Sequence, residues 1–168
     1  MNVRSLRLFI TAILLAIAPL ALADSTTLTI SGRVLPGTCT LAAPPIALDP
    51  VKADEMTVGD NKLKAGALNF TGCVGVMRAR LSFDGTAADG DPERWKNTAT
   101  TDAATGVGIA LLAGNTGTTY LKNGDSDTLT VTGTTASYPL RAGYYLPSTS
   151  GINAGVVSTE IVVTAAYE

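Results

Sequence analysis

Gly155-Val156-Val157-Ser158-Thr159-Glu160-Ile161-Val162-Val163-Thr164-Ala165-Ala166-Tyr167-Glu168 stands at the end of the 168-residue sequence, and its rhythm is that of a β-strand. Side chains two apart along a strand share a face. Val157, Thr159, Ile161, Val163, Ala165 and Tyr167 therefore lie together, while Glu160, Thr164 and Glu168 fall on the opposite side. The apolar face demands a core, and the backbone demands partners along both edges. Such a strand at the border of a sheet is an aggregation hazard unless another strand covers it.

The same period of two recurs upstream. Thr27-Leu28-Thr29-Ile30-Ser31 alternates, and its phase continues through Gly32 and Val34. Residues 63–70, 78–83, 107–112, 128–132 and 138–146 read as further strands. Asp84-Gly85, Asp89-Gly90-Asp91-Pro92, Asn123-Gly124-Asp125, Gly133 and residues 147–151 supply the turns between them. Residues 42–60 carry Pro44-Pro45 and Pro50 and read as a short edge strand plus loops. Residues 84–104 are polar around Trp95, whose burial the sequence leaves open. Many short strands with regular turns predict one all-β domain, a sandwich of immunoglobulin type.

Residues 1–23 read as processing information. Arg4 and Arg7 form a basic start, residues 8–20 are mostly apolar, and Ala21-Leu22-Ala23 presents small residues for cleavage before Asp24. The apolar run falls short of the roughly 20 residues that span a membrane. Export is the expectation. Losing two Arg and no acid moves the formal charge from −2 to −4. Charged residues make up 15 % of the chain, against about 25 % in typical soluble proteins. A weakly acidic chain without a basic cluster excludes nucleic acid and anionic membrane surfaces as partners.

Cys39 and Cys73 are the two cysteines. An oxidising compartment favours their pairing, which the chain-entropy model values at roughly 3–4 kcal/mol. Two free thiols or half of a metal site are the alternatives. The chain has no His, so a zinc site would need unusual ligands, and an activated nucleophile lacks its usual base. Asp84, Asp89, Asp91 and Glu93 cluster as carboxylates in one loop, which a solvated loop explains better than a glycosidase pair. Asn123-Gly124-Asp125-Ser126-Asp127 alternates oxygen ligands but lacks the later Glu of a calcium loop, and reads as an Asx-type turn. Neither a cofactor nor catalysis is expected.

Taken in order, several segments resemble the pilins of the chaperone–usher pathway, the subunits of type 1 and P-like fimbriae. Ser31-Gly32-Arg33-Val34 with Cys39 is similar to the family's first strand and first cysteine. Leu68-Asn69-Phe70-Thr71-Gly72-Cys73 resembles its second-cysteine segment, and Leu81-Ser82-Phe83-Asp84-Gly85-Thr86 the strand that follows. Gly106-Val107-Gly108-Ile109-Ala110-Leu111-Leu112 and Tyr138-Pro139-Leu140-Arg141-Ala142-Gly143-Tyr144-Tyr145 resemble two more strands. The ending is the most specific part, with Gly155 near the start of the last strand and Tyr167 penultimate.

The resemblance implies an incomplete immunoglobulin-like sandwich that lacks its last strand and keeps a hydrophobic groove beside the C-terminal strand. Residues 24–31 would be a donor-strand extension and residues 32–168 the pilin domain. Leu28 and Ile30 would be donor knobs, with Gly32 in the same phase. Gly155, Val163, Ala165, Tyr167 and Glu168 would form the groove and chaperone-binding strand. The implied partners are a periplasmic chaperone whose basic residues hold the terminal carboxylate on Glu168, an outer-membrane usher, and other pilins joined head to tail in a surface fimbria serving adhesion or biofilm formation. Residues 24–31 are shorter than many such extensions, reaching about 26 Å when extended, which points toward a minor subunit. A tip adaptor or single-domain adhesin is the rival reading.

Overall fold

Nine strands form among residues 26–168, the residues that the computed structural model describes. The expected signal peptide and the first two residues of the expected extension lie outside them. The strands are β1 (Thr40–Ala42), β2 (Gly59–Thr71), β3 (Arg78–Gly85), β4 (Ala87–Ala88), β5 (Asp91–Trp95), β6 (Gly108–Ala113), β7 (Ser126–Thr130), β8 (Thr135–Leu146) and β9 (Ile161–Tyr167). One sheet runs β1-β2-β8-β6-β5-β4 and the other β7-β3-β9. Every strand pairing is antiparallel.

Alternation sends one side of each strand into the space between the sheets. Leu68 and Phe70 of β2, Ile109 and Leu111 of β6, and Tyr138, Leu140 and Ala142 of β8 meet Ala79, Leu81 and Phe83 of β3 there. Trp95 is fully buried among them, and its indole N–H donates to the Leu121 carbonyl at 2.8 Å. The polar stretch around Trp95 is therefore two short strands with a core anchor. Cys39 and Cys73 are joined as a disulfide. Residues 42–60 supply a loop and one 3-10 turn, Ala53–Glu55, after the edge strand β1.

Since Trp95 faces inward, its neighbour Arg94 faces the other side of the larger sheet. There its guanidinium lies 3.6 Å from the Tyr120 ring centre and 4.2 Å from that of Tyr145. Asp60 stands 4.0 Å from the Arg94 Nε and accepts the Tyr120 hydroxyl at 2.7 Å. A desolvated cation between two rings is worth about 2 kcal/mol. This clamp lies over the sheet face that carries Ala110 and Leu112, both buried.

Asn123 and Asp125, the calcium-like pair of the sequence, spend their side chains on the backbone. Asn123 Oδ1 accepts the Gly85 N–H at 2.9 Å and Asp125 Oδ2 the Lys122 N–H at 3.0 Å. They are turn formers, as the Asx reading expected.

The Tyr138 hydroxyl crosses from β8 to β7 and donates to Asp127 Oδ2 at 2.5 Å. Burial first, and then this bond, push the phenol well above its ordinary value of 10.0. The folded state thus keeps a proton that the unfolded chain releases above about pH 10. The contribution is complete below pH 10 and is lost as pH rises beyond it. Urea unfolding across pH 7–11 should show a flat stability followed by a fall above pH 10. Tyr138→Phe should make that fall shallower, and an unchanged slope would refute the assignment.

Candidate functional site: an open groove along β9

Among the described residues, β9 has one neighbouring strand. It borders the smaller sheet beside β3, and its hydrogen-bonding phase can be read from its end. The Met77 and Arg78 N–H groups donate to the Glu168 carbonyl at 2.8 and 3.0 Å, and the Glu168 N–H donates to the Arg78 carbonyl at 2.9 Å. Arg78 and Glu168 are thus a mutually bonded pair, and bonded pairs recur at every second residue of an antiparallel ladder. The register places Arg80 opposite Ala166, Ser82 opposite Thr164 and Asp84 opposite Val162. Those residues spend their backbone groups on β3. The N–H and C=O groups of Ile161, Val163, Ala165 and Tyr167 consequently point away from β3, toward the open border.

The side chains of these same four residues point inward yet remain half-buried, whereas Ala79, Leu81 and Phe83 on β3 are fully covered. The difference is a groove. A cavity of about 570 Å³ opens beside β9, floored by core residues including Leu68, Phe83, Ile109, Leu111 and Leu140. Val157, Thr159, Ile161 and Val163 form one wall, and residues 43–48 form the other. Pro44 and Pro45 have no N–H to offer, so that stretch of the second wall cannot donate to a ladder. Ile46 of that wall lies over Gly66, where an added Cβ would sit 2.5 Å from its Cδ1. The bare backbone of Gly66 is what lets this wall approach β2.

The expected site residues occupy different parts of this arrangement. Val163 lines the groove. Ala165 and Tyr167 share its face and pack against the core cluster. The Tyr167 hydroxyl donates to the Cys39 carbonyl at 3.1 Å, tying the end of β9 to the disulfide on the opposite side. Glu168 carries the backbone bonds to Met77 and Arg78 and an exposed ion pair with Arg78 at 3.5 Å. An exposed pair of that kind is worth at most about 1 kcal/mol.

Gly155 lies before β9, where the chain has left β3. Val156 bonds to Asp102 and Ala104, and Ser158 to Asn97. A Cβ on Gly155 would stand 2.3 Å from the Asp102 carbonyl oxygen and 2.5 Å from the Ala104 nitrogen. Its role is close backbone approach just before the residues that wall the groove. Leu28 and Ile30 are 81 % and 87 % exposed, and neither they nor Gly32 belongs to a strand. Contacts divide the chain into two units between Arg33 and Val34.

Two features of the walls lie outside the residues that the sequence singled out as the site: residues 43–48, and Val157, Thr159 and Ile161. The signal for the first was present, since Ile46 and Leu48 stand two apart beside a pair of prolines.

The fold is an immunoglobulin-like sandwich with one border strand uncovered and a core open beside it. The sequence model of the fimbrial protein family matches residues 28–168. The chain belongs to that family. It is a structural subunit of a fimbria, a filament of the cell surface, in a family of building subunits and not of enzymes. Among solved structures, the chain is similar to the Burkholderia pseudomallei antigen and type I fimbria protein BPSL1626, with 22 % identity and a TM-score of 0.59 over 77 % of this chain and 100 % of that one. It is similar to the P pilus rod subunit PapA, with 14 % identity and a TM-score of 0.64 over 79 % of this chain and 100 % of that one. It also resembles part of the CupB6 tip adhesin from Pseudomonas aeruginosa, with 19 % identity and a TM-score of 0.64 over 77 % of this chain but 38 % of that one. No curated protein matches the sequence significantly. No helix among the described residues is long and apolar enough to cross a membrane.

Gly155→Ala should separate residues 102–104 from residues 155–156. Overpacking of this kind costs about 1–3 kcal/mol, to be read from urea unfolding of the monomer. An unchanged midpoint would contradict the close approach.

Proposed function

We propose that the chain polymerises by donor-strand exchange, the segment around Leu28, Ile30 and Gly32 of one copy filling the groove along β9 of the next. The observation that carries this reading is the pairing of an outward-facing backbone with a half-buried apolar face on Ile161, Val163, Ala165 and Tyr167. A strand laid there satisfies both at once: main-chain bonds give affinity, and side chains at alternate positions give specificity. Leu28 and Ile30 lie two apart and are solvated in the single chain, so each gains about 1.5–3 kcal/mol on burial. The contact joins two different surfaces and does not close on itself, so it grows a filament.

Before assembly the same surface needs cover. A periplasmic chaperone lends a strand to the groove, with basic residues meeting Glu168, and the exchange takes place at an outer-membrane usher. Residues 1–23 direct export, residues 24–31 donate, and residues 32–168 accept. The likeness to CupB6 is to a fraction of that tip adhesin, and a likeness in fold assigns no position in the fibre. Rod and tip-adaptor roles share this joint.

Ile30→Asp places a charge on a knob that must enter the groove. Purified chains carrying it should fold with the wild-type unfolding midpoint, because Ile30 is 87 % exposed, and should remain monomers by size-exclusion chromatography and electron microscopy. Filaments formed as readily as by the wild type would sink the proposal.

A further inference from the structure

A second cavity, of about 320 Å³, opens past the start of β9, with the apolar side chains of Pro50, Val51, Met56, Val107 and Ile152 and the polar Asn153 among its lining residues. It shares Tyr144 and Val157 with the groove, so the two adjoin at those residues. The groove therefore does not end where β9 begins. Beyond Val157 it borders this second recess.

The chain also carries a knob without a hole. Val34 is 96 % exposed and lies in the same phase as Leu28, Ile30 and Gly32. Successive members of that set are about 6.6 Å apart in an extended segment. An isopropyl group so fully solvated contributes nothing to the core of its own copy.

We infer that Val34 of one copy seats in this second cavity of the next copy, so that the joint between subunits extends beyond the donor strand. The inference rests on the donor-strand reading. Residues 34–37 lead to the disulfide end of the domain, where the Gly37 N–H donates to the Val74 carbonyl at 3.1 Å. Tyr167, at the far end of β9, is bonded to that same end through Cys39. The root of the donor segment and the Tyr167 end of the groove thus share one pole of the domain. Head-to-tail growth sets that pole against the opposite pole of the neighbour, which is the Val157 end of its groove. The donor then runs antiparallel to β9. A register with Val34 opposite Val157 puts Gly32, Ile30 and Leu28 opposite Thr159, Ile161 and Val163. The recess is adjacent to Val157, where Val34 arrives.

The test compares filaments of wild-type, Val34→Asp and Ile30→Asp chains during dissociation in guanidinium. Val34→Asp should form filaments that shed subunits about tenfold faster or more, with monomer unfolding unchanged. Adding Ile152→Lys to the same chain should recover part of that loss. Copies carrying Val34→Cys should form an oxidised link to copies carrying Val157→Cys within mixed filaments. Wild-type dissociation rates for Val34→Asp, or the absence of that link in filaments that do form, overturns the inference. Normal filaments from Ile30→Asp would instead overturn the donor-strand reading beneath it.

Discussion

A strand backbone presents donors and acceptors along both edges, and burying them without partners costs more than most side-chain contacts return. β9 meets this constraint on one edge only. Its even-numbered residues are bonded to β3, while the odd-numbered ones direct their backbone outward and their side chains into an open core. Much of what distinguishes this sandwich follows from that half-satisfied strand. The monomer can fold because β3 holds β9 and because Phe70, Leu81, Phe83 and Trp95 are fully buried without help. Its core stays open along β9, where Ile161 and Val163 line space that none of the described residues fills.

The surrounding residues keep the groove open and one-sided. Pro44 and Pro45 remove donors from the opposite wall, and Ile46 over Gly66 holds that wall against β2. Tyr167 fastens the end of β9 to Cys39, whose disulfide to Cys73 anchors the start of β1 beside β2. At the other end, Gly155 allows residues 155–156 to press against residues 102–104, which opens the chain toward the second cavity. The Arg94 clamp lies on the far side of the larger sheet from all of this. Its work is to cover that face, and it leaves the groove open.

Much of this was legible in the sequence because strand periodicity is a local signal. The alternation of 157–167 announced an apolar face at a border, and the order of cysteines, turns and strands carried the resemblance to fimbrial subunits. The strand boundaries were less legible. Residues 156–160 alternate as well as 161–167 do, but they bond to residues 97–104, a partner determined by tertiary packing. Residues 27–31 also alternate, yet form no strand in the single chain, since alternation records what a segment can pair with and not whether a partner is present. Arg94 between Tyr120 and Tyr145 gave no local cue, because three separated segments meet there. Trp95 stood in a polar stretch whose pairing depends on β6, and its burial had to come from the structure.

Hydrogen exchange at β9, residue by residue, in monomer and in filament, tests the central claim most directly. The account predicts that the amides of Val162, Thr164 and Ala166 are protected in both forms. Those of Ile161, Val163, Ala165 and Tyr167 should exchange rapidly in the monomer and become protected in the filament. Equal protection of both sets in the monomer would mean that β9 is already covered. Rapid exchange of the second set within filaments would mean that subunits join elsewhere.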